Sequence, residues 1–134
     1  MPAILYVCPS NAARAPLAQA ITLELSMTVD AHAAGVRPTH VRPQVREVLR
    51  ELGMRSEGLR ARSLFDVPME DVDIVVTLSS DVVLPPLPAR IRTVAWNLPD
   101  PASAPPEESL DAYRATRDEL TRRIKALLLT LSGD

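Results

Sequence analysis

Residues 3–20 read Ala3-Ile-Leu-Tyr-Val-Cys8-Pro-Ser-Asn-Ala-Ala-Arg14-Ala-Pro16-Leu-Ala-Gln-Ala20. The apolar run 3–7 predicts a buried strand that stops at Cys8, and Pro16 with the apolar spacing after it predicts a helix. Five residues separate Cys8 from Arg14. A loop of that length can curl its N–H groups around a tetrahedral oxyanion, with the helix N-terminus behind and a guanidinium in front. A thiol at the bottom of such a bowl is expected to have a depressed pKa and to act as a nucleophile. Arg14 can hold two oxyanion oxygens at once, which lysine cannot match. Pro9 has no N–H, so the donors are expected from Ser10, Asn11, Ala12, Ala13 and Arg14. Asn11 also tolerates the left-handed backbone that tight loops need.

Outward from this stretch, the pattern predicts a first helix over 15–28 and a strand over 29–34 closed by Gly35. Val45, Val48, Leu49 and Leu52 mark a second helix stopping at Gly53. Ser63 fits the N-cap of a short turn carrying Leu64 and Phe65, with Pro68 after it. Residues 73–78, β-branched and almost continuously apolar, predict a central strand of a parallel sheet. Residues 79–89 form a proline-rich connection, and Ile91, Thr93 and Val94 mark a fourth strand. Leu110, Tyr113, Leu120, Ile124, Leu127, Leu128 and Leu131 trace one face of a long last helix. This alternation predicts a three-layer α/β sandwich: a four-stranded parallel sheet with helices on both faces. Ligands bind beyond the carboxyl ends of such strands, where Cys8 lies.

A second constellation is Asp100, between Pro99 and Pro101. The two prolines restrict its backbone, and the loop after the fourth strand is expected at the same sheet edge as Cys8. A thiolate attacking an oxyanion needs an acid for the departing oxygen, and Asp100 is the candidate.

The chain has 134 residues, 46% hydrophobic and 24% charged, enough for a single domain spanning 1–134. A net charge of -2 gives no general attraction to nucleic acid or anionic membrane. The single cysteine excludes an internal disulfide and suits a reducing cytoplasm. Neither a signal peptide nor a transmembrane stretch is read. Lys125 is the only lysine, and the arginines read as compositional bias rather than as a patch. His32 and His40 have no metal-ligand spacing, so no metal is expected. The expected state is a monomer.

At Val7-Cys8-Pro-Ser-Asn-Ala-Ala-Arg14-Ala-Pro16 the chain resembles the low-molecular-weight protein tyrosine phosphatase superfamily, which includes arsenate reductases of that fold. Ala33-Ala-Gly35, Arg62-Ser63-Leu64, residues 73–78 and above all Trp96-Asn-Leu-Pro-Asp100-Pro101-Ala102 extend the likeness, the last toward the arsenate reductase branch. The resemblance implies Cys8 as nucleophile, Arg14 as oxyanion clamp and Asp100 as acid. Phosphatases of this group usually place two tyrosines after the catalytic Asp-Pro, whereas Ala102 and Ser103 stand here. That departure implies a small inorganic substrate. Thioredoxin-coupled reductases carry two more cysteines, at positions matching Ser79 and about Leu84. Both are missing, so the resemblance implies an external thiol as reductant: glutathione with glutaredoxin, or mycothiol with mycoredoxin. Ala15 replaces a family Ser or Thr whose hydroxyl supports the thiolate. Three functions follow as expectations: arsenate reduction, phosphomonoester hydrolysis through a cysteinyl phosphate, and oxyanion binding with weak catalysis.

Overall fold

The structure, a computed structural model, describes residues 1–132. Seven main elements follow in order: β1 (Ala3–Cys8), α1 (Arg14–Leu25), β2 (Asp30–Gly35), α2 (Pro43–Arg50), β3 (Ile74–Thr77), β4 (Arg92–Ala95) and α3 (Ser109–Ser132). The strands form one parallel sheet in the order β2-β1-β3-β4. β1 is buried along its whole length and lies inside the sheet beside β3, while the mostly exposed β4 forms an edge. The register sets Cys8 beside Gly35, Val7 beside Thr77 and Thr77 beside Ala95. The carboxyl ends of all four strands therefore open on one rim.

Alternation along β1 divides the core. Ile4, Tyr6 and Cys8 share one cluster with apolar residues of α1, α2 and α3, whereas Leu5 and Val7 pack with Leu64, Val67, Val72, Val75 and Ile91. Both faces are therefore covered, but unequally: the three α-helices all lie on the first, so the expected α-helical layer on the other is replaced by short turns. The second face carries only two 3-10 turns, Leu64–Asp66 and Met69–Asp71, joined by Val82, Leu84 and Leu87 of the proline-rich connection. Prolines at 68, 85, 86 and 88 remove amide donors and restrict their neighbours, which keeps this layer from winding into longer helices. Ser63 caps the first turn, its Oγ accepting from Phe65 N at 3.2 Å.

Helix ends depart from the sequence pattern. α1 stops at Leu25, not 28, because Ser26 is extended and its Oγ takes the Thr28 amide at 3.2 Å. α2 stops at Arg50, and the turn that follows places Gly53 at φ +70°, leaving Leu52 exposed. On α3, Tyr113, Leu120, Ile124 and Leu127 face inward as the spacing predicts. Arg117 shares that buried face, which its charge conceals. Its guanidinium donates to Val48 O at 2.9 Å and pairs with Glu51 at 2.8 Å, tying α3 to α2. Among the described residues no helix is long and apolar enough to cross a membrane.

Candidate active site

The bowl is built by turning carbonyls outward and amides inward. Outside the loop, Pro9 O accepts from Arg37 N at 2.8 Å, Ser10 O from Thr39 N at 3.0 Å and Ala12 O from Arg42 N at 2.9 Å. Ala13 O accepts from Leu17 N at 3.1 Å, opening α1. With these carbonyls fixed outward, the amides of Asn11, Ala12 and Ala15 are directed at the Cys8 sulfur. Asn11 provides the reversal of direction at φ 50°, and its Nδ2 donates to Arg60 O at 3.4 Å. Its Oδ1 is buried without a partner among the described residues.

Gly35 makes this approach possible. A Cβ there would stand 2.7 Å from Asn11 N and 2.8 Å from the Ser10 carbonyl carbon, so only a hydrogen fits between β2 and the loop. In the sequence this residue reads as the end of a strand and as part of the Ala33-Ala-Gly35 likeness, and neither reading contains this contact.

Cys8 is 1% exposed. Burial pushes its thiol above the ordinary value, against the amide of Ala15, the Arg14 charge and the amides of Asn11 and Ala12. The expectation of a depressed pKa is therefore reversed: desolvation of the sulfur outweighs the donors around it.

Arg14, the first residue of α1, is also buried. Its Nη1 donates to Leu98 O at 2.8 Å and Leu78 O at 3.4 Å, carbonyls beyond the ends of β4 and β3. Those bonds fix the guanidinium across the bowl, and its other donors stay available. Asp100 is exposed, and its Oδ1 accepts from Ala102 N at 3.0 Å, capping a 3-10 turn over Pro101–Ser103. The flanking prolines and this cap together hold the carboxyl.

A cleft of about 500 Å³ joins these groups, lined by Pro9, Ser10, Arg14, Ser79, Ser80, Asp81, Asn97, Leu98, Pro99, Asp100 and Ser103. Ser10, Arg14 and Asp100 thus meet in one space. Cys8, Asn11, Ala12 and Ala13 do not line the cleft: they are buried in the loop behind it. Ser79, Ser80, Asp81 and Asn97 join the lining from two other loops. No aromatic ring is among the lining residues. A larger groove of about 920 Å³ lies at the opposite end of the sheet, around Met1, Leu25, Met27 and Leu128. It is lined mainly by apolar side chains with Lys125 as its one ionisable side chain, and neither the cysteine nor a carboxylate borders it.

A strand, an anion-shaped loop with cysteine and arginine, and a carboxyl across the cleft agree with what the comparisons find. The family described as low molecular weight phosphotyrosine protein phosphatase matches residues 3–134. The chain belongs to this family. Within it, the chain is 28% identical over 132 residues to an arsenate reductase of Halalkalibacterium halodurans, covering 95% of each. An arsenate reductase structure from Archaeoglobus fulgidus superposes with a TM-score of 0.79 at 27% identity, over 92% of this chain and 97% of that one. A structure described as an arsenate reductase in the phosphate binding state gives 0.87 at 23% identity, over 97% and 98%, a likeness of fold. Membership makes this chain a phosphatase-fold enzyme and bears out the architecture expected from its sequence.

Proposed function

We propose that the protein is an arsenate reductase, a single domain over residues 1–134 that works as a monomer in the cytoplasm with an external thiol. The observation that carries this reading is the cleft: Arg14 and Asp100 face one space in front of the only thiol, and no ring is present to wall an aryl ester. Its relatives named arsenate reductase support the substrate. Arsenate docks on the loop amides of residues 10–14 and on Arg14. The Cys8 thiolate attacks arsenic, Asp100 protonates the departing oxygen, and water leaves from the thiol–arsenate adduct. A small external thiol, glutathione or mycothiol, attacks the Cys8 sulfur of the adduct. The As–S electron pair departs with arsenic as arsenite, and a mixed disulfide remains for glutaredoxin or mycoredoxin to open. Two thiols are oxidised and arsenic passes from As(V) to As(III). The cleft offers no second cysteine, so the chain cannot complete this exchange alone.

Phosphomonoester hydrolysis is the second reading, supported by family membership and by the same feature: a cysteinyl phosphate needs no second thiol, with Asp100 switching to base for water. Pro9 and Ala15, which remove one amide and one hydroxyl from the bowl, support the third, a weakly catalytic oxyanion binder. The deciding experiment assays wild type and Cys8→Ser on arsenate with each thiol and redoxin pair, and on an aryl phosphate without thiol. Expected is Cys8-dependent arsenite release that requires a thiol. Cys8-dependent aryl phosphatase activity without arsenate turnover overturns the first reading. Phosphate binding without either activity leaves the third.

A further inference from the structure

The segments that hold the anion loop from outside carry arginines that the fold leaves unused. Arg37 and Arg42 support the loop through backbone amides, Arg60 through the carbonyl bonded to Asn11, and Arg62 through a carbonyl that accepts from Gly35 N at 2.8 Å. Main chain does the holding, so the four guanidiniums remain over. None has a carboxylate within ion-pair distance among the described residues, a state they share with Arg14, Arg46, Arg50 and Arg92, whereas Arg55, Arg90, Arg114, Arg117, Arg122 and Arg123 are all paired. Arg37, Arg42 and Arg60 are exposed and Arg62 is half-buried.

The cleft that these segments border carries carboxylates of its own. Asp81 and Asp100 line it, and of the four arginines Arg42 comes nearest to them, since both it and Asp100 act on the Tyr113 hydroxyl. Charge is also segregated along the chain: residues 36–62 hold seven arginines against three glutamates, and residues 63–111 hold nine carboxylates against two arginines. The arginines are therefore more than compositional bias. A small oxyanion is already served by Arg14 and the loop amides, and none of the four rim arginines lines the cleft. Charges spread over an open rim suit the face of a protein, which they steer and orient.

We propose that Arg37, Arg42, Arg60 and Arg62 dock the carboxylate-bearing face of the thiol protein that regenerates Cys8. This rests on the reductase reading above. The partner's carboxylates meet the arginine side and avoid Asp81 and Asp100, which fixes its orientation over the cleft. Its thiolate attacks the outer sulfur of the Cys8 mixed disulfide. The inner sulfur leaves as the Cys8 thiolate, and the new disulfide joins the partner to the small thiol.

The test uses three synthetic cysteine peptides, flanked by four glutamates, four glutamines or four lysines. Cys8 is converted to its 2-thiopyridyl disulfide, and the rate of opening by each peptide is followed at low ionic strength and at about 0.5 M salt. The glutamate peptide is expected to react about tenfold faster than the lysine peptide at low salt. High salt and the double variant Arg37→Gln/Arg60→Gln are each expected to remove most of that advantage. Opening by uncharged 2-mercaptoethanol should be unchanged in the variant, because the loop is held by main-chain bonds. Fluorescent serine versions of the peptides, titrated against the unmodified protein by anisotropy, should give the same order of affinity without Cys8 chemistry. Equal rates and affinities for the three charges, or a preference that survives in the double variant, overturn the docking proposal. A preference for glutamate in a protein that turns over no arsenate leaves the docking in place and removes the reductase reading; arsenate turnover without the preference does the reverse.

Discussion

Ala15 lies against the sulfur without a side-chain donor of its own. Its amide is the largest of the influences that lower the Cys8 pKa, yet burial still wins. A hydroxyl added there would give the thiolate one more hydrogen bond to a charged group, worth about 1.5–3 kcal/mol or about one to two pKa units. Ala15→Ser is therefore expected to lower the Cys8 pKa by about one unit, read from thiolate absorbance against pH, and an unchanged titration would show that a hydroxyl at position 15 does not reach the sulfur. That Arg14 and Asp100 meet at the Cys8 end of the sheet was legible in the sequence, from a guanidinium at fixed spacing from the only thiol and a carboxyl between two prolines on the loop after the fourth strand. Ser79, Ser80, Asp81 and Asn97 were not. Short polar residues in loops look the same whether they face solvent or a cleft, and only the convergence of strand ends separates the two cases.

At the scale of elements, β2 and its continuation shape the loop that follows Cys8. Gly35 lets the strand touch the loop, and the backbone from Arg37 to Arg42 then takes three of its carbonyls. A methyl at position 35 meets backbone atoms, which cannot rotate aside. Gly35→Ala is expected to destabilise the fold by about 1–3 kcal/mol and to weaken phosphate binding, measured by chemical denaturation and calorimetry. Unaltered phosphate affinity would mean that the loop does not depend on this contact. Strand and helix identities followed from apolar periodicity because packing against one sheet imposes it. Helix ends did not, since Ser26 and the turn at Gly53 decide them by local hydrogen bonding and backbone angle. The buried Arg117 escaped the pattern because its partners, the Val48 carbonyl and Glu51, come from α2 and the residue that follows it.

For the whole molecule, the helical face carries a titration that links folding to alkaline pH. Tyr6 and Thr22 share a 2.7 Å hydrogen bond inside the core, and burial raises the Tyr6 pKa from 10.0 to about 12. The unfolded chain therefore loses this proton first. Stability from Tyr6 is complete below pH 10 and is lost as pH rises through 12, an amount of about 2–3 kcal/mol. Tyr6→Phe is expected to be less stable at pH 8 by about 1 kcal/mol, yet to lose less between pH 10 and 12, as urea midpoints across that range would register. Parallel curves for the two proteins would place the alkaline sensitivity elsewhere.

The unequal clothing of the sheet also bears on how such a protein can change over generations. Three α-helices interlock on one side, so almost any alteration there must be accommodated by several neighbours at once. On the other side, residues 79–89 cross the sheet with only Val82, Leu84 and Leu87 as partly buried anchors, while Ser79 and Asp81 reach the cleft. A lineage could acquire or discard reactive side chains along that strip, a relay thiol included, without renegotiating the helical core. The same scaffold is thereby free to change what faces its cleft while its core stays as it is.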